Sequence, residues 1–407
     1  MAALLVASCA GSDSSSDENG STAPASDPTP VETDVPVETD VPVETDVPVE
    51  TDVPVETDVP VETVLDASGF IETQLRLLPK PLVDSAENSV TVTLVDVEAA
   101  FRQADLTDPI DLGDEAEIID GFIELTQPAT VENGGTGYGV VQPGFFPGDF
   151  GVTDPDGFEG EFGFSPFDVR AVAELSAPPV SFSVVSGDLQ VADDLVESAD
   201  GVVTVGSGAD DEVDLEGRTT ARPLGRPLHL VERNGLVAVT RQLPVAVDWV
   251  AGGETLADDA AWLAVARQLD ASAVAAALIV SGEFSVGSLT SQIEDPGRIA
   301  LLEAAVQISA PFELVGVGSS RVDGQATFTA VYHFADADAA AGEVDNVAAA
   351  WAGDSLVGRE SLTEVISNVR VEPVGSTVTM IGDVGDRWST RAAMSTLLLG
   401  DLVVLHR

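Results

Sequence analysis

The chain has 407 residues and carries 70 acidic side chains against 17 basic ones, a formal net charge of −53. That charge repels phosphate backbones and excludes nucleic acid as a partner; a single cysteine excludes a disulfide framework and cysteine-rich zinc sites. Hydrophobic residues at 44% exclude a wholly disordered chain, and no run of about 18 uncharged apolar residues marks a transmembrane helix.

The acidity is spread over the whole length. Residues 1–63 hold 15 acids and no Lys or Arg, and Lys80 is the one lysine among the 17 bases. Arginine-over-lysine, acid-rich composition reads either as the codon bias of a GC-rich genome alone or as that bias together with a saline habitat. It also keeps a surface hydrated where salt screens charge over about 3–10 Å.

The chain opens with a short apolar run, then Val6-Ala7-Ser8-Cys9 and a Ser-, Gly- and Asp-rich stretch from Gly11 to Asp27. An apolar residue and two small ones before a cysteine resemble the lipobox of bacterial lipoproteins. The resemblance implies that the Cys9 sulfur receives a diacylglycerol and that cleavage makes Cys9 the first residue. No Lys or Arg precedes Cys9, a defect that a start codon assigned too far downstream would produce. Lipid chains contribute about 0.8 kcal/mol per buried CH2, so several chains anchor stably.

From Pro30 the unit Pro-Val-Glu-Thr-Asp-Val is repeated in six copies, five complete and the last shortened, ending in Thr63-Val64. A proline every six residues with two like charges per unit resists both helix and core. At about 3 Å per residue the repeat reaches roughly 100 Å, the length of a stalk. Read as a calcium ladder it is a poor ligand, because a tight site needs six to eight converging oxygens.

From about Leu65 the composition is globular. Ser89–Asp96 alternates and is β-branched, which predicts a strand; Val97–Ala104 and Asp114–Thr126 read as helices. Glu132–Ser165, rich in Gly, Pro and Phe, reads as an irregular loop region.

Thereafter one order of elements is expected twice. The first copy has a strand at Val180–Ser186, a helix at Leu189–Ala199 and strands Leu228–Arg233 and Leu236–Thr240 around Asn234-Gly235. A helix at Leu256–Leu269 and a strand at Ala273–Val280 complete it. The second has a strand at Ala326–Phe334, a helix at Ala337–Trp351, strands at Val369–Glu372 and Thr377–Ile381, a helix at Trp388–Leu399 and a strand at Leu402–His406. Both read β-α-β-β-α-β, the order of a ferredoxin-like sandwich, so the fold class is α+β with a duplicated unit and two apolar sheet faces packed together. Ser165-Pro166-Phe167-Asp168 before the first copy is echoed by Ala310-Pro311-Phe312-Glu313 before the second. The expected layout is a signal-peptide remnant (1–8), a disordered acidic linker (9–63), a first α+β copy with an N-terminal extension (64–290) and a second copy (291–407). This layout resembles uncharacterised surface lipoproteins of actinobacterial type, a likeness that covers the first 63 residues and brings no catalytic residue with it.

The search for chemistry yields little. His229, His333 and His406 stand alone on or near predicted strands, without metal-ligand spacing, and read as strand residues with one nitrogen satisfied. Two acidic loops are weak calcium candidates: Asp154, Asp156 and Glu159 in one, Asp210, Asp211 and Asp214 in the other. Neither has EF-hand spacing. No Gly-x-Ser-x-Gly elbow, Ser-x-x-Lys or Walker lysine is present, and Gly135–Gly139 and Gly316–Ser320 read as turns. The expected role is a non-enzymatic binding or structural one in the cell envelope, lipid-anchored to the outer face of the cell membrane, with no nucleic-acid partner, an unidentified protein or small-molecule partner, and no cofactor beyond the calcium candidates. The alternative is an extracytoplasmic hydrolase with paired carboxylates, calcium-assisted, which requires one Asp or Glu buried beside another.

Overall fold

The structure, a computed structural model, describes residues 69–86, 89–112, 114–144, 154–210, 212–291, 293–354, 361–398 and 402–407. Cys9 and the Pro-Val-Glu-Thr-Asp-Val repeats lie outside them. Residues Ala67–Arg407 cluster as one compact unit.

Helices α1 (Phe70–Leu75) and α2 (Lys80–Asp84) lead into strand β1 (Val90–Asp96). β1 runs straight into α3 (Val97–Gln103) because its last residue caps the helix: the Asp96 carboxylate accepts from the Ala99 amide at 2.8 Å. Asp114 does the same for α4 (Glu115–Thr126), accepting from Ala116 at 2.9 Å. α5 (Pro155–Phe162) precedes the hairpin β2 (Val169–Ala177) and β3 (Val180–Gly187). Two further hairpins follow, β4 (Val196–Ala199) with β5 (Val202–Val205), and β6 (Leu228–Arg233) with β7 (Leu236–Thr240). The second turns at Asn234-Gly235, both residues at positive φ. Then come α6 (Leu243–Ala251), α7 (Ala260–Ala271), β8 (Ala276–Ser281), α8 (Val286–Thr290) and α9 (Pro296–Ala305). The remainder is the hairpin β9 (Phe312–Val322) and β10 (Gln325–Phe334), α10 (Ala337–Trp351), α11 (Leu362–Val365), the hairpin β11 (Ile366–Val374) and β12 (Thr377–Val384), and α12 (Thr390–Leu398).

The class is α+β, and all twelve strands join one sheet in the order β11-β12-β10-β9-β8-β1-β2-β3-β7-β6-β5-β4. Every strand pairing in it is antiparallel. This overturns the ferredoxin-like arrangement, whose split β-α-β unit needs parallel strands, and the expected pair of facing sheets. A different repetition is visible in its place. From the centre outward the strands run β1-β2-β3-β7-β6 on one side and β8-β9-β10-β12-β11 on the other, the same strand order twice, joined through the β1–β8 pair. The echoed Pro-Phe segments hold matching positions, immediately before β2 and at the start of β9.

Three expected elements differ. Leu189–Ala199 is not a helix: Leu189 and Val191 are buried in the main core, the Glu232 side chain accepts from the Val191 amide at 3.1 Å, and Val196–Ala199 becomes β4. Leu402–Val404 is a 3-10 turn, not a strand, and His406 makes isolated parallel bridges to Ser285 and Ile308. The stretch Glu132–Ser165 contains α5, which Asp154 caps at the Gly157 amide.

Alternation along the strands sorts two apolar layers. Val92, Leu175, Val184 and Ile279 face the layer under α1, α6 and α7; Val95, Val172, Val185 and Leu278 face the layer under α3, α4, α5, α10 and α12. Gly316 and Gly318 are not turn residues. They sit within β9, and a Cβ on either would collide with Val265 of α7 or with Val274. Their lack of a side chain lets α7 settle onto the second half of the sheet. Glu343 of α10 fixes the entry to β9, accepting from the Ser309 and Ala310 amides at 2.9 Å each.

Candidate functional site

A half-open groove of about 280 Å³ lies between the C-terminal end of α10, α11 and the start of β11. α10 ends at Trp351, which is buried because its indole donates to the Tyr332 hydroxyl at 2.9 Å, and that hydroxyl donates to the Val403 carbonyl at 2.9 Å. The chain of hydrogen bonds holds the indole in place behind the groove, whose lining also includes Ile366, buried like Trp351, and Val369. Ala348 and Ala352, a turn apart on α10, leave the space open. The rim is Thr363, Ser367 and Asn368. Asn368 lies at the register shift of β11, with φ 52°, and its amide donates to Asp383 at 2.8 Å. The eight described residues of the lining are uncharged.

The histidines are engaged on the framework. His229 lies on β6 opposite Thr204 of β5, its Nδ1 is 2.8 Å from the Thr204 hydroxyl, and Thr204 also bonds the Ser198 hydroxyl on β4. Its Nε2 is 3.1 Å from Asp210, whose other oxygen accepts from the Leu243 amide at the first turn of α6, 2.9 Å away. A hydroxyl, an imidazole and a carboxylate thus stand in line, yet the carboxylate is also spent on the helix end. Asp210 ties the edge hairpin β4–β5 to β6 and α6. His333 contacts Ser376 at 3.1 Å, and burial pulls its pKa down, partly offset by Asp259. His406 contacts the Arg407 carbonyl at 3.1 Å. Each nitrogen of His229 has a contact, where the sequence suggested one.

The loop of Asp154 and the segment after Asp214 meet through contacts other than shared calcium ligation. Asp154 accepts from Thr220 at 3.0 Å, and Glu161, further along α5, pairs with Arg222 and accepts from Thr219 at 2.6 Å. Asp214 accepts from the Glu216 and Gly217 amides at 3.0 Å each. Asp211 lies outside the described residues. Among the described residues no group of three His, Cys, Asp or Glu is placed to hold a metal ion.

Two carboxylates do lie side by side. Asp270, at the end of α7, accepts from the Ile71 and Glu72 amides at 2.8 and 3.0 Å and so caps α1 from across the chain. Burial pushes its pKa up against those two hydrogen bonds, and the Glu72 charge adds to the rise. Burial pushes Glu72 up too, but hydrogen bonds from Arg76 at 2.6 Å and Arg267 at 3.2 Å outweigh it and hold the carboxyl below its ordinary value.

A last polar feature lies on the α7 face of the second half. Ser320 pairs with Thr327, Thr329 is two residues along β10, and Thr379 pairs with Val331, two further on. The three form a diagonal line across β9, β10 and β12, are buried, and have no hydrogen-bond partner among the described residues.

The groove had no motif to announce it: its residues are small, apolar or uncharged, and Trp351 was legible only as the end of a helix. Among the described residues no helix is long and apolar enough to cross a membrane. No protein family and no curated protein matches the chain. Among solved structures, crystal form I of a protein named TP0453 is 8% identical, with a TM-score of 0.32 over 80% of this chain and 96% of that one. Crystal form III gives 8%, 0.31, 79% and 97% for the same measures. Likenesses this faint carry no argument about fold or function.

Proposed function

We propose that the chain is a lipid-anchored extracytoplasmic protein whose folded unit has a binding or structural role, not an enzymatic one, in the cell envelope. The observation that carries the binding role is the half-open groove at the end of α10, with Thr363, Ser367 and Asn368 among its lining residues. Val6-Ala7-Ser8-Cys9 and the long acidic stretch after it support the anchor. The matching strand order of the two halves supports an internal duplication, with the unit redrawn as a strand, a crossover and two hairpins.

A second reading, a hydrolase with paired carboxylates, is favoured by one observation: Glu72 and Asp270 are neighbours whose pKa values are pushed apart. Both are committed to capping and ion pairing, so the binding reading is preferred. An Asp270→Asn variant separates the two, since loss of a measured hydrolytic activity without loss of fold would reverse the preference.

The anchor is tested by mass spectrometry of the mature N-terminus after expression in a bacterial host. The expected species begins at a diacylated Cys9, and Cys9→Ala is released into the medium. A bare Cys9 thiol in membrane-fractionated protein overturns the anchor.

A further inference from the structure

We propose that Ser198, on the edge strand β4, is a nucleophile that takes an acyl group from a small ester, activated through Thr204 and His229. This adds a site of covalent modification to the binding or structural role above. It does not make the chain an enzyme, because the acyl group stays on the serine.

The hydrogen bonds around His229 can run in one direction. Asp210 as a carboxylate only accepts, so the Nε2 of His229, 3.1 Å away, donates to it. In a neutral imidazole the other nitrogen then accepts, and Nδ1 takes the proton of the Thr204 hydroxyl at 2.8 Å. Thr204 has spent its proton, so its oxygen accepts from the Ser198 hydroxyl. The line runs from Ser198 through Thr204 and His229 to Asp210, a hydroxyl led to a base that a third group orients. The Leu243 amide, at 2.9 Å, binds the other oxygen of Asp210 and so steadies the carboxylate without displacing the imidazole.

Placement in the sheet sets the reactive end. Thr204 pairs with Val196 of β4 on one side and with His229 of β6 on the other. Ser198 is the extra residue at the register shift of β4, between Glu197, which faces Val203, and Ala199, which faces Val202. A bulge residue leaves the ladder and its side chain is re-aimed. Ser198 is exposed while His229 is 4% exposed, so an ester arriving from solvent meets the serine and not the base. His333 offers a contrast: Ser376 lies 3.1 Å from its Nε2, but among the described residues no carboxylate is hydrogen-bonded to its other nitrogen.

In the step itself the Ser198 oxygen bonds to the acyl carbon and the bond from that carbon to the ester oxygen breaks. The serine proton passes to Thr204 as the Thr204 proton passes to His229. The resulting imidazolium rests against Asp210 and gives the proton up to the departing alcohol or to solvent.

The test treats the full-length protein with 4-nitrophenyl acetate and follows acetylated peptides over time by mass spectrometry. Ser198 should be acetylated about a hundredfold faster than Ser291, an exposed serine whose hydroxyl donates to the Ser288 carbonyl. Thr204→Val keeps the branched shape and removes the hydroxyl, and should slow Ser198 about a hundredfold. Thr204→Ser restores the hydroxyl and should restore the rate, which a packing role for the threonine would not do. His229→Gln should slow Ser198 as much as Thr204→Val. Acetylation of Ser198 no faster than of Ser291, or a Thr204→Val variant as fast as the native chain, overturns the proposal. The comparison of the two serines needs no substitution, so it decides the matter even where a variant fails to fold.

Discussion

The Asp270 carboxylate occupies the space that a Cβ on Gly69 would fill. Gly69 is the residue before α1, and the carboxylate reaches past it to the Ile71 and Glu72 amides. The contact spans about two hundred residues of sequence and fastens the first helix of the folded unit to the last turn of α7. Gly69→Ala should therefore expel the carboxylate and uncap α1, costing about 1–3 kcal/mol in urea unfolding. Asp270→Ala should cost a similar amount, and the double variant little more than either alone, because both remove one contact. Additive losses would separate the two residues.

Asp210 is expected to act in the same way at the far edge of the sheet. It accepts from His229 and from the Leu243 amide. Asp210→Ala should cost about 1–2 kcal/mol and speed amide exchange in β4, β5 and the first turn of α6, while exchange in β9 and β10 stays unchanged. Uniform acceleration across the sheet would mean that the residue does not pin the edge.

The diagonal of buried hydroxyls predicts an opposite sign. A buried hydroxyl without a partner costs about 1–3 kcal/mol relative to one left in water, and Thr329 is 0% exposed. Thr329→Val keeps the shape and removes the unpaired group, so the urea midpoint should stay level or rise, by up to about 2 kcal/mol in stability. A clear loss of stability would reveal a partner for the hydroxyl.

His333 sets a pH slope. Burial holds its folded pKa below the ordinary 6.5, with Asp259 opposing. The unfolded chain then binds the proton first, so the contribution is complete above about pH 6.5 and is lost as pH falls toward the folded value. Comparing urea midpoints at pH 7.5 and 5 for the native chain and His333→Gln isolates the residue from the general easing of acidic repulsion. The native chain should lose more, or gain less, on acidification than the variant; identical slopes would remove His333 as a contributor.

Local signals in the sequence were legible where the cause is local. Asp96 and Asp114 cap the helices that follow them, Asn234-Gly235 makes its hairpin, and Ala337–Trp351 is helical along its whole length. The failures have distant causes. Leu189–Ala199 reads as a helix in the sequence, but Leu189 and Val191 are buried in the sheet's core and Glu232 takes the Val191 amide. Gly316 and Gly318 look like a turn until Val265 of α7 and Val274 just beyond it are laid on them. The Pro-Phe echo was visible, yet β2 and β9, the strands it introduces, were passed over, which shifted the repeated unit by a strand and turned an antiparallel order into a ferredoxin-like one. The groove is drawn from α10, α11 and β11, and no spacing encodes such a meeting.

Twelve strands in one open sheet leave two rims where foreign chains could add on. β4 is four residues long and slips register between Glu197 and Ala199; β11 slips between Ser367 and Arg370 and carries Pro373, which has no amide hydrogen to donate. Growth into fibres by strand accretion is thereby blunted by backbone shape at each border. That protection persists in brine, where salt masks the mutual repulsion of molecules bearing −53 charges.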